Sequence, residues 1–150
     1  MKICLQEVIS ANVKVNNELI SNIGRGYVLL VSFTNFDTEE IIKKMAEKVL
    51  KLRIWPDENG KTNLDLKSID GEILSISQFT LYANASQGNR PSFVDCLRAD
   101  LAKEMYGKFN AYLIELYPKV KTGIFHADMK VELINDGPFT LILDSKELFK

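Results

Sequence analysis

The run YVLLVSF, residues 27–33, limits the possible fold more than any other stretch of the chain. As a strand it would be apolar on both faces, so both faces need cover and the strand belongs inside a sheet. Gly24 and Gly26 precede it as turn residues. GEILSISQFTL, residues 71–81, reads as a second buried strand. A chain of 150 residues is long enough for one core, burying roughly 70% of the unfolded surface. No repeat, linker or low-complexity tract divides it. A single domain over residues 1–150 is expected, with 146–150 as a short C-terminal tail.

The remaining segments fall around those two strands. MKICLQEVI (1–9) reads as a strand, and NVKV and ELISNI as a hairpin over Asn16-Asn17. A first helix is expected with Asp37 as its cap, Glu40 as reciprocal partner and an apolar stripe of Ile41, Ile42, Met45, Ala46, Val49 and Leu52. It should stop near Trp55, because a residue before proline avoids helical geometry. Asn59-Gly60 makes a turn, and NASQGNRPS (84–92) is a loop by composition. A second helix is expected from about 93 to 117, with Leu97, Leu101, Met105, Phe109, Tyr112 and Leu116 facing the core. MKVELI (129–134) and FTLIL (139–143) read as a last pair of strands. Asp136-Gly137 between them is a hairpin signal, yet Pro138 removes a backbone donor where the second strand should begin pairing. The order of strands, helix, strand, helix, strands makes an α+β fold.

Chemistry is sparse. The net charge of −1 provides no basic field for duplex DNA. No apolar run approaches membrane-spanning length, and residues 1–9 are too short and polar for a signal peptide. A cytoplasmic protein without membrane or DNA partners is therefore expected. Cys4 and Cys96 stand far apart, and His126 is the only imidazole, so no zinc set can be assembled. Neither metal nor cofactor is expected. No Gly-rich phosphate loop is present, and no carboxylate pair stands at catalytic spacing. SQFT (77–80) is the exception: Gln78 and Thr80 would point to one side at the end of an apolar strand. Buried polar groups need partners, so the pair is either satisfied by neighbouring backbone or open to a ligand pocket. Thr80 could be a nucleophile, but nothing nearby in sequence would activate it.

SQFTLYA (77–83) and NDGPFTLILD (135–144) together resemble the two signature motifs of the D-aminoacyl-tRNA deacylases. LRIWPDENGKTNL (52–64), GNRPSF (88–93) and the segment around His126 are similar to that family in order and spacing. The resemblance covers essentially residues 1–145. It implies a homodimer with active sites at the interface, built on a barrel-like core of mixed or antiparallel sheets with two main helices outside. The implied activity is hydrolysis of the ester between a D-amino acid, or glycine, and the 3′ end of tRNA, with L-amino acids spared. The Gly-Pro bond is cis in that family, and its turn reaches into the partner's pocket.

Carried onto this chain, the resemblance makes Gly137 and Pro138 a chiral gate, with Asn135 beside them, Met129 packed against the turn and Phe125 near the pocket. Ser77, Gln78, Phe79 and Thr80 would form the facing wall, offering backbone N–H groups and the Thr80 hydroxyl to the scissile carbonyl. No cofactor is implied, since the terminal ribose 2′-hydroxyl assists. Three positions depart from the family pattern: Glu7 replaces arginine, His126 replaces glycine, and Gln87 replaces lysine, with Arg90 and Lys130 available as alternative cations. Glu7 motivates a second reading, a deacylase of relaxed chirality. A third is a non-catalytic module that binds tRNA ends.

Overall fold

The computed structural model describes residues 1–150. In chain order the strands are β1 (Lys2–Val15), β2 (Glu18–Ile23), β3 (Gly26–Ser32), β4 (Arg53–Pro56), β5 (Thr62–Asp65), β6 (Glu72–Ser77), β7 (Val120–Thr122) and β8 (Met129–Asp144). The helices are α1 (Glu39–Lys51), α2 (Ala99–Leu116) and the short α3 (Ser145–Leu148). Strand β1 is the spine: its first half pairs with β3, its second half with β2, and nearly its whole length with β8, all antiparallel. β6 and β7 extend the sheet by parallel pairing beyond β3. The result is a mixed sheet nearly closed into a barrel, with β4 and β5 as a separate hairpin. The α+β class, the barrel-like core and the two main helices outside it are all as expected.

The both-faced apolar run explains this layout. On one side of β3, Tyr27, Leu29 and Val31 join a core with Ile42, Met45 and Val49 of α1 and Phe109 and Leu113 of α2. On the other side Val28 meets Val8, Val13, Leu74 and Ile76. Strand β1 serves both clusters by a shift of register. Its pairing passes from Val8↔Asn135 to Ser10↔Ile134, leaving Ile9 as an extra, exposed residue. One extra residue reverses which side chains face inward, so Ile3 and Leu5 feed the helix-side core and Ala11 and Val13 the other.

Five local expectations are corrected. MKVELI and FTLIL do not form a hairpin; they are two halves of β8, running in one direction along β1. Pairing jumps from Gln6↔Thr140 to Val8↔Asn135. Two steps on β1 thus match five on β8, and the surplus around Gly137-Pro138 bulges outward. Turn residues signal a break in pairing, and a partner as long as β1 lets the chain resume in line rather than reverse.

Helix α1 is capped by Thr38, whose hydroxyl accepts from the Ile41 N–H at 3.3 Å. Asp37 instead accepts from the Thr34 N–H at 2.8 Å and pairs with the buried amino group of Met1. The helix ends at Lys51 rather than near Trp55, because β4 starts at Arg53 and buries Trp55 in a stack on Tyr27 with ring centroids 4.7 Å apart. Helix α2 begins only at Ala99, and its buried face is Ala102, Tyr106, Phe109 and Leu113, while Leu101 and Leu116 are exposed. Of the expected stripe, Leu97, Met105, Phe109 and Tyr112 do pack on the core, whose centre lies on the face led by Tyr106, where α2 meets α1 and the sheet. Finally, β6 stops at Ser77, and Phe79–Tyr82 form a 3₁₀ turn.

Candidate active site

The site is assembled on the C-terminal end of β3, where three successive residues each hold a different part. The Val31 carbonyl accepts from the Gln78 N–H at 2.8 Å, the Ser32 hydroxyl donates to the Phe79 carbonyl at 3.2 Å, and the Phe33 carbonyl accepts from the Leu97 N–H at 3.2 Å. Cys96 Sγ adds a second donor to the Phe79 carbonyl at 3.3 Å. The Phe79 and Phe93 rings lie 5.3 Å apart, both exposed.

Beside this junction opens a cavity of about 640 Å³. Ser77, Gln78 and Phe79 line it together with Phe125, His126 and Met129, over apolar residues such as Leu30 and Ile76. Phe125 is held by Tyr106 at 5.8 Å between centroids, and the Tyr106 hydroxyl donates to the Ser75 carbonyl at 2.7 Å. The segment after β7 must pass close to Met129: a Cβ on Gly123 would sit 2.6 Å from the Met129 sulfur. His126, exposed at the cavity, adopts φ +65°, a conformation glycine takes without penalty.

The expected residues therefore divide. Ser77, Gln78, Phe79, Phe125 and Met129 come together around one cavity, whereas Thr80, Asn135, Gly137 and Pro138 do not line it. Thr80 stays close through a hydrogen bond from the Gln78 side-chain amide to its hydroxyl. The Gln78 and Thr80 side chains thus bond to one another, with Gln78 also open to the cavity. Gly137 and Pro138 are exposed on the β8 bulge, joined by a cis peptide bond, with Gly137 at φ +112°. A Cβ there would lie 3.1 Å from the Phe139 nitrogen.

Glu7 is the single β1 residue between the two paired stretches that flank this bulge, and it is buried. Burial pushes its carboxyl above the ordinary range and Asp136 adds to the effect, with Arg25 and the Trp55 indole pulling the other way. No three His, Cys, Asp or Glu side chains converge as a metal site requires. Both cysteines are free and half-buried rather than fully enclosed.

Ser32 and Leu97 also line the cavity; sequence reasoning passes over Ser32 and reads Leu97 only as a core residue of the second helix. Ser32 is the findable one, being the only small polar residue in YVLLVSF. Its meeting with Phe79 depends on parallel pairing of β3 with β6, which one strand's pattern does not encode.

Fold and site together define an α+β, barrel-like domain with a roomy, largely apolar ligand cavity faced by a polar turn. The chain belongs to the D-Tyr-tRNA(Tyr) deacylase family, whose sequence profile matches residues 4–144. It is similar to the D-aminoacyl-tRNA deacylase of Lactobacillus acidophilus, 51% identical over 96% of this chain and 99% of that protein. The D-aminoacyl-tRNA deacylase of Dictyoglomus turgidum is 49% identical over 100% of this chain and 96% of its own length. Among solved structures, the c-Myc DNA unwinding element binding protein superposes with a TM-score of 0.91 at 37% identity, covering 96% of this chain and 98% of that one.

Proposed function

We propose that this chain is a D-aminoacyl-tRNA deacylase that works as a homodimer in the cytoplasm. The observation that carries the reading is the family match over residues 4–144, with SQFT at a cavity and NDGP on an exposed bulge. Water adds to the ester carbonyl carbon, the bond to the terminal ribose oxygen breaks, and that oxygen leaves with a proton. The products are free D-amino acid and tRNA. Glycyl-tRNA follows the same course, since glycine has no side chain to exclude.

Ser77, Gln78, Phe79 and Thr80 face the reacting carbonyl, and the backbone N–H groups of Phe79 and Thr80, at the turn after β6, stabilise the oxyanion. One such donor is worth about 2.7–4 kcal/mol to an enzyme, enough to matter without a side-chain nucleophile. The ribose 2′-hydroxyl positions the attacking water. In one chain the bulge lies away from its own cavity, which suits a role in the cavity of a second copy. There the Gly137 and Pro138 carbonyls hold the α-amino group and leave no room for an L side chain, a selection by exclusion. Met129 and Phe125 complete that pocket, with Asn135 at the base of the bulge.

A second reading rests on Glu7. A buried carboxyl beside Asp136 in place of a cation gives the bulge less support, which would relax rejection of L substrates. Incubation of D-Tyr-tRNA with a small fraction of protein separates an enzyme from a binding module. Many ester bonds cleaved per chain is the expected result; substrate bound by excess protein with its ester intact would overturn the proposal.

A further inference from the structure

The Phe79 carbonyl oxygen accepts from two side chains on separate segments: the Ser32 hydroxyl of β3 at 3.2 Å and the Cys96 thiol of the loop before α2 at 3.3 Å. Two donors on one carbonyl at a strand-to-turn junction fix the plane of the 79–80 peptide. A trans peptide is planar, so its N–H points opposite to its C=O. Tying the Phe79 oxygen toward Ser32 and Cys96 therefore aims the Thr80 N–H the other way.

The surroundings hold that arrangement rigid. Ser32 is only 2% exposed. The residues on either side of it anchor the same two segments through the Val31 carbonyl to Gln78 and the Phe33 carbonyl to Leu97. The Cys96 N–H is itself held by the Phe93 carbonyl at 3.1 Å.

Resting on the deacylase reading above, we infer that Ser32 and Cys96 are positioning residues. They act through the 79–80 peptide: together they clamp the Phe79 carbonyl and so preset the Thr80 N–H as an oxyanion donor. Burial, with Asp95 adding to it, pushes the Cys96 thiol up. The group therefore stays a protonated donor at neutral pH and is a poor target for oxidation, which needs the thiolate.

The test compares Ser32→Ala, Cys96→Ala, the double variant and Cys96→Ser for D-Tyr-tRNA hydrolysis, with kcat and KM read separately and folding checked by thermal melts. Each single variant keeps one donor and should lose no more than about threefold in kcat, whereas the double variant should lose about tenfold or more at unchanged KM. Cys96→Ser, which retains a donor, should recover most of what Cys96→Ala loses.

A folded double variant with kcat within about twofold of the original would overturn the inference, as would a loss confined to KM. The Phe79 carbonyl ¹³C and Thr80 amide ¹⁵N resonances read the clamp without substrate. They should move in the double variant, and unmoved resonances would refute the clamp directly. Failure of the unmodified protein to turn over D-Tyr-tRNA would instead remove the deacylase reading and leave the resonances to decide the clamp.

Discussion

At the scale of the residue, Glu7 carries the clearest energetic consequence. Its carboxyl is buried and sits near Asp136, and both effects raise its folded pKa above the unfolded value. A raised acid pKa means that the fold prefers the protonated form. That contribution is full below the unfolded pKa and is lost as pH rises through the folded one. At neutral pH the charge works against folding, so Glu7→Gln should gain about 1 kcal/mol, or about 2–4 °C in Tm. The gain should shrink toward pH 4 in melts across the range; a less stable variant at pH 7 would show the carboxylate to be well compensated.

Gly137 makes the complementary case. At φ +112°, with the Phe139 nitrogen only 3.1 Å from where a Cβ would stand, Gly137→Ala should cost about 1–2 kcal/mol. Its effect on D-Tyr-tRNA turnover should be larger, about a hundredfold or more, equivalent to about 2.7 kcal/mol, with melts and rates measured on the same preparation. The special character of Gly137 is visible in the sequence as a glycine before a proline. That of Glu7 is not, since its place opposite the bulge arises from pairing between the two ends of the chain.

At the scale of the element, periodicity finds the strands and helices better than it finds their ends. Asp37 and Thr38 are both good caps by type, and the sequence points to Asp37. The fold uses Thr38 because Asp37 is engaged by the Met1 amino group, a contact across 36 positions. The two roles separate energetically. Asp37→Ala strips a buried pair, with side chains 0% and 3% exposed, and should cost about 3 kcal/mol. Thr38→Ala loses a cap worth about 1 kcal/mol. Denaturant unfolding of the two variants should rank them in that order, and the reverse order would show the Met1–Asp37 pair to be worth less than the cap. The β8 bulge is legible as an interruption and not as a bulge, because the choice between reversing and continuing depends on the length of β1. The expected stripe holds for Leu97, Met105, Phe109 and Tyr112, which pack on the core, and fails at Leu101 and Leu116: those two are as apolar as Leu113, and only the positions of α1 and the sheet decide which face is covered.

At the scale of the whole molecule, the barrel-like sheet gathers SQFT and the 125–129 segment around one cavity and leaves Gly137-Pro138 outside it. An active site that needs both must draw the second from another copy. Turnover per chain should then fall when the protein is diluted through its dimer dissociation range, and be restored on concentration. Strict proportionality of rate to concentration down to the monomer would place the whole site in one chain. The cavity wall is legible from SQFT, but its separation from Gly137-Pro138 is not, since sequence order says nothing of which side of the sheet the bulge leaves. Chiral proofreading by deacylation is tested by hydrolysis of D-Tyr-tRNA and L-Tyr-tRNA side by side over a wide titration of the protein. Loss of the D ester at protein levels that leave the L ester intact is the predicted result. Equal loss of both would contradict an exclusion gate at Gly137 and Pro138.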